Sequence, residues 1–208
     1  MDDKVKSGEE RLLREIRAAR KRVGAQVGAR VAELRRNPDW FSELCFCLLT
    51  ANYTAEGGMR IQKEAGDFSA LSERQVRSLL KRCGHRFPNA RAKYIRGARK
   101  HKRSLAALRK MRSDYERREW LVKNVRGLGY KEASHFLRNV GFMDVAIIDR
   151  HVVNVLAEYG IVKKPKTLTK KKYLAIEKKL RHLSEKTRIP LGELDFYIWW
   201  LKTGKILK

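Results

Sequence analysis

Apolar residues along this chain recur at steps of three and four, the spacing of one helical face, and almost nowhere alternate as strand residues do. Over residues 9–36 the series is Leu12, Leu13, Ile16, Val23, Val27, Val31 and Leu34. It predicts one or two amphipathic helices, with a break near Gly24 or Gly28. Asn37-Pro38 ends that run, and Asp39 is placed to cap a strongly apolar helix over residues 40–49. Residues 52–58 read as a loop and 60–65 as helix, and Ser72-Glu73-Arg74-Gln75 is a capping box opening a helix to residue 80. After a loop at 84–88, helices are predicted over 90–100, 105–111 and 115–125, then over 152–159, 173–183 and 191–201. The expected fold is therefore all-α, an orthogonal bundle of two helical subdomains. Residues 55–140 are expected to form one, and residues 1–54 with 142–208 the other.

Residues 120–149, WLVKNVRGLGYKEASHFLRNVGFMDVAIID, break this regularity in an informative way. A short apolar-periodic segment (Leu121, Val122, Val125) meets a Gly127-Leu128-Gly129 turn. A second segment follows with Ala133, Phe136, Leu137 and Val140 in helical register, closed by Gly141. Helix, hairpin and helix thus span residues 119–141. The two glycines allow positive φ and close backbone approach. Just before a helix N-terminus, the amides around Gly127 and Gly129 suit a DNA phosphate. Lys131 falls in the first turn of the second helix, where the positive end of the dipole is expected to disfavour an ammonium. Asp149 follows the apolar run Val145-Ala146-Ile147-Ile148. By spacing alone Lys131 could be a surface lysine and Asp149 an N-cap.

Charge sharpens the choice of partner. Lys and Arg number 49 against 23 Asp and Glu, a net charge of +26, which points to a polyanion. The positive residues are spread along the chain and not gathered on one wide-faced amphipathic helix, which favours nucleic acid over a membrane surface. No apolar run is long enough to span a bilayer and the start is no signal peptide, so a soluble intracellular protein, cytoplasmic or nucleoid-associated, is expected. Cys45, Cys47 and Cys83 cannot make a disulfide framework, and no four-cysteine spacing for an iron–sulfur cluster or His/Cys set for zinc is present. Arg86, Arg91, Lys93 and Arg96 are candidate phosphate contacts, as is His151; His85 reads as structural. Asp195, one turn before Trp199, could meet the Watson–Crick edge of a base.

GLGYKEASHFLRN followed by AIIDRHV resembles the helix-hairpin-helix DNA glycosylases with a catalytic lysine in the hairpin and a catalytic aspartate downstream. The likeness is closest to the archaeal type-2 8-oxoguanine DNA glycosylases. ELCFCLLTANYTAEGG at 43–58, GHRFPNARAKYI at 84–95 and LDFYIWWLKTGKILK at 194–208 resemble further blocks of that family, so the likeness runs from about Phe41 to Lys208.

The resemblance implies an active-site cleft between the subdomains, with Lys131 as nucleophile and Schiff-base former and Asp149 as the carboxylate beside the sugar. It implies that Trp199 lines the base pocket, with Phe87 a second stacking candidate, and that the chain end at Lys208 takes part in base recognition. A terminal carboxylate would accept from the N7–H that distinguishes 8-oxoguanine from guanine. It further implies a monovalent cation on the carbonyls of Lys123, Val125 and Leu128, no other cofactor, and a monomer acting on double-stranded DNA that contains oxidised guanine. The rival readings are a glycosylase of the same fold for another oxidised base and a non-catalytic helix-hairpin-helix DNA-binding protein.

Overall fold

The computed structural model describes residues 3–207, with side chains over residues 7–207. In chain order the α-helices are α1 (Asp3–Arg35), α2 (Trp40–Thr50), α3 (Ala55–Ala65), α4 (Glu73–Arg82), α5 (Pro88–Ala98), α6 (Asp114–Asn124), α7 (Tyr130–Asn139), α8 (Arg150–Glu158), α9 (Lys170–Thr187) and α10 (Leu191–Thr203). Two 3-10 segments, Arg99–His101 and Ser104–Lys110, join α5 to α6. Among the described residues there is no strand, and no helix is long and apolar enough to cross a membrane.

The chain separates into two compact units, one of residues 36–140 and one of residues 1–35 with 141–208. The sequence pattern placed residues 36–54 with the chain ends. Contacts instead put α2 in the first of these units, where it packs on α3, α5 and α7. The apolar run of α2 is buried almost all round, from Phe41 to Leu49, as expected of a central helix. Its one charge is also enclosed: the fully buried Glu43 accepts from Asn139 Nδ2 (2.6 Å) and Asn37 Nδ2 (3.1 Å). A buried carboxylate must be paired in this way, and the pairing ties α2 to the end of α7.

Three elements differ from the sequence expectation. Helix α1 runs unbroken through Gly24 and Gly28, its apolar stripe packed on α9 and α10. Helix α3 begins at Ala55, five residues earlier than predicted, because Thr54 caps it by accepting from Gly57 N–H (3.1 Å). Gly57 and Gly58, read as loop residues, lie in its first turn, where side-chain room is scarce. A Cβ would lie 2.4 Å from the Tyr53 ring at Gly57 and 3.0 Å from the Phe46 ring at Gly58. The predicted 105–111 helix is a 3-10 segment, with Leu105 and Leu108 as its buried anchors.

In the second unit α1, α9 and α10 pack together, and α8 lies against α10. The apolar run at residues 145–148 is buried but forms no strand. It passes without regular secondary structure into the N-cap of α8.

Candidate active site

Helix α6, the turn at residues 125–129 and helix α7 form the predicted hairpin. Leu121, Val125, Leu128, Ala133, Phe136 and Leu137 fill the space between its arms. Arg118, at 1% exposure, locks the arms: its guanidinium lies between the Tyr115 and Tyr130 rings (5.3 and 5.0 Å) and Nη1 donates to Ser134 Oγ (3.2 Å). The turn closes when Leu128 N–H donates to the Val125 carbonyl (3.2 Å).

The two glycines have different reasons for being there. Gly127 has φ of +96°, and a Cβ on it would sit 2.5 Å from the Tyr94 ring. Gly129 does not share the positive φ expected of both. At φ −92°, ψ −175° it is an extended N-cap residue. With no side chain of its own to cap α7, it relies on Glu132, whose carboxylate accepts from Gly129 N–H at 3.3 Å. Lys131 follows on the first turn, half-exposed, and no acceptor among the described residues engages its amine.

Asp149 caps α8. Its Oδ1 accepts from His151 N–H (2.8 Å) and Val152 N–H (2.9 Å), and the residue is half-buried. Among the described residues Oδ2 has no hydrogen-bonding partner. The capping reading is therefore right for one oxygen, and it leaves the other oriented and open.

Two residues after Asp149 the His151 ring meets Trp199 of α10 edge-on, centroids 4.6 Å apart. Trp199 is half-buried, yet its indole Nε1–H is enclosed with no acceptor among the described residues, which marks it for explanation. Asp195 lies one turn earlier on α10, beside a shallow surface depression otherwise lined by apolar side chains such as Ile147, Val152 and Leu194. Asp149, His151, Asp195 and Trp199 are thus carried by the N-terminal end of α8 and by α10 of one unit. Gly127, Gly129, Lys131 and Phe87 belong to the other. Lys208 lies outside the described residues.

Phe87 is 39% exposed at the start of α5, with the Arg86 guanidinium over its ring. The buried His85 presents it: Nε2 donates to the Leu49 carbonyl (2.9 Å) and Nδ1 accepts from Phe87 N–H (3.0 Å). Burial holds the imidazole below its usual pKa, so it serves as a neutral strut, the structural role read from sequence. Of the basic residues around α5, Arg91 is no phosphate contact. It is buried and donates to the Ala51 carbonyl (2.7 Å), whereas Arg86, Lys93 and Arg96 are exposed. Sequence reasoning missed Tyr94, Arg118 and Glu132. Only Glu132, at the N3 position of a helix start, carried a local signal for its role.

Two bundled helical units and a glycine-turned pair of helices define a helix-hairpin-helix protein. A sequence profile described as 8-oxoguanine DNA glycosylase matches residues 27–189. The 8-oxoguanine DNA glycosylase/AP lyase of Methanocaldococcus jannaschii is 53% identical over 176 residues, 84% of this chain and 85% of that protein. The protein of that name from Korarchaeum cryptofilum is 50% identical over 196 residues, 90% of this chain and 92% of its own length. The crystal structure of the M. jannaschii glycosylase/lyase in complex with a 15mer DNA containing 8-oxoguanine superposes with a TM-score of 0.91 at 47% identity, covering 95% of this chain and 99% of that one. This chain belongs to the 8-oxoguanine DNA glycosylase family.

Proposed function

We propose that this protein is a bifunctional repair glycosylase that excises 8-oxoguanine from double-stranded DNA and then cleaves the abasic strand. The observation that carries the chemistry is Lys131, an amine that no acceptor among the described residues engages, on the first turn of the helix that follows the glycine turn. The amides around Gly127 and Gly129 hold a backbone phosphate at the positive end of α7. The glycosidic bond is inaccessible inside the stack, so the damaged nucleotide is everted.

Lys131 Nζ attacks C1′ as the C1′–N9 bond breaks, and the bonding pair leaves with the base, which takes up a proton. Loss of a proton from nitrogen and ring opening give the Schiff base at C1′. Removal of a C2′ proton then expels the 3′ phosphate by β-elimination. The open Oδ2 of Asp149 stabilises the positive sugar and accepts protons, while Oδ1 stays fixed by the α8 amides. Trp199 and Phe87 stack on the everted base, Asp195 reads its Watson–Crick edge, and His151, packed on Trp199, lies against the strand. Lys208 takes part in recognising the lesion.

Helix α6 ends at Asn124 with Val125 N–H donating to the Leu121 carbonyl, so the Lys123 carbonyl lies past the last i+4 bond of the helix. Together with the carbonyls of Val125 and Leu128 it fits a monovalent cation, which would add positive charge beside the gripped phosphate.

Borohydride trapping tests the reading. The native protein should crosslink to an 8-oxoguanine duplex, and Lys131→Gln should bind that duplex without crosslinking. A crosslink that survives Lys131→Gln would remove Lys131 from the chemistry. Native protein that binds but neither crosslinks nor releases base would leave a DNA-binding protein only. Base release from another oxidised base in preference to 8-oxoguanine would change the substrate.

A further inference from the structure

The segment that delivers Asp149 has the composition of a strand and no strand beside it. Its backbone groups are satisfied instead by side chains from one face of α9. Tyr173 Oη donates to the Ala146 carbonyl (2.6 Å) and accepts from Ile148 N–H (3.2 Å). Glu177 Oε1 accepts from Ala146 N–H (2.8 Å). Arg181 donates through Nη1 to Asp144 Oδ1 (2.6 Å) and through Nη2 to the Asp144 carbonyl (3.0 Å).

The three α9 residues are four apart, and the residues they hold step back by two, from 148 to 146 to 144. Four helical residues rise about 6 Å, and two extended residues span about 6.6 Å. One face of α9 therefore reaches from Ile148 back to Asp144, where the segment bends, and bonds its backbone in place of a neighbour strand. Tyr173 and Glu177 are each 2% exposed, so these bonds are shielded from water. Asp149 is the next residue after Ile148, and a slip of this segment would move its carboxylate off the α8 cap.

We infer that Tyr173 and Glu177 are positioning residues for base excision. They act as a hydrogen-bonding rail that fixes the register of residues 146–148 and with it the Oδ2 of Asp149. The inference rests on the reading of Asp149 as a reacting group. It concerns geometry at the sugar and not DNA affinity, so it separates rate from binding.

The test is single-turnover base release at saturating enzyme, well below the melting temperature, with lesion-duplex Kd measured alongside. Tyr173→Phe keeps the ring and deletes both hydroxyl bonds. Its excision rate should fall about tenfold to a hundredfold, the scale expected of sub-ångström to ångström misplacement, with Kd within about twofold of native. A purely structural role would lower the melting temperature and leave this rate constant unchanged, and that result would overturn the inference. If Tyr173→Phe gives no cooperative melt, Glu177 carries the same test. Glu177→Gln keeps an acceptor for Ala146 N–H and should retain the native rate, whereas Glu177→Leu should lose it; equal rates for the two would overturn the inference. Asp149→Asn identifies which idea has failed. Native-rate excision by Asp149→Asn removes the reading of Asp149 itself. An inactive Asp149→Asn beside a native-rate Tyr173→Phe removes only the rail.

Discussion

Two helix N-termini in this protein solve one electrostatic problem in opposite ways. Each presents backbone N–H groups and the positive end of a dipole. At α8 the chain supplies its own anion: Asp149 Oδ1 takes two amides, and that helix start is closed to outside ligands. At α7 the cap is Gly129, which has no side chain to offer, and only Glu132 reaches back to one amide at 3.3 Å. A carboxylate held by its own helix is a fixed charge ready to work on a neighbour. A helix start without a cap is a vacancy for someone else's phosphate. The difference lies in one residue type at one position, a capping carboxylate at α8 and a glycine at α7.

The largest way to break the contrast is to damage the grip. Gly127→Ala forces a Cβ onto a residue at φ +96° and into the Tyr94 ring. Stability should fall by about 2–3 kcal/mol, read from denaturant midpoints, and duplex affinity should fall with it. Adding Tyr94→Ala removes the collision and not the strain, so it should recover only part of the loss. Full recovery would show that the backbone conformation is unimportant and that Gly127 serves only to clear the ring.

Asp149 sharpens the other side. Asparagine caps a helix about as well as aspartate, whereas alanine costs on the order of 1 kcal/mol. Asp149→Asn should therefore melt like the native protein and lose excision, while Asp149→Ala should lose both. An Asp149→Asn variant that excises normally would reduce this residue to its cap.

The helical class and the hairpin were legible because each depends on local sequence, on periodicity and glycine spacing; Lys131 and Asp149 stood out as candidates for the same local reason, a lysine after the turn and a carboxylate before an amphipathic run. The helical Gly57 and Gly58 were not, because their reason is the rings of Tyr53 and Phe46 pressed against them. Arg91 counted as a surface cation until burial against the Ala51 carbonyl showed otherwise. Tyr173 and Glu177 sit at ordinary core spacing, and nothing local says that they bond the segment before Asp149. Contacts between residues distant in sequence leave no mark on periodicity. The assignment of α2 to a unit failed for the same reason, since an all-round apolar helix does not say which neighbours it serves.

The smallest expected effect bears most directly on the contrast between the two helix starts. Glu132 is the internal competitor for the Gly129 amide and a negative charge where a phosphate should sit. Glu132→Ala removes the reach-back bond and a favourable charge at the α7 N-terminus, which should cost about 0.3–1 kcal/mol of stability. The same change frees the amide and removes a like charge, so affinity for undamaged duplex should rise by about twofold, an exposed-charge effect that salt screens away. Stability and affinity should thus move in opposite directions, measurable by denaturant unfolding and by fluorescence anisotropy at low ionic strength. A fall in both would mean that Glu132 supports the hairpin as Asp149 supports α8. The α7 start would then be a closed cap, and the phosphate would have to be gripped elsewhere.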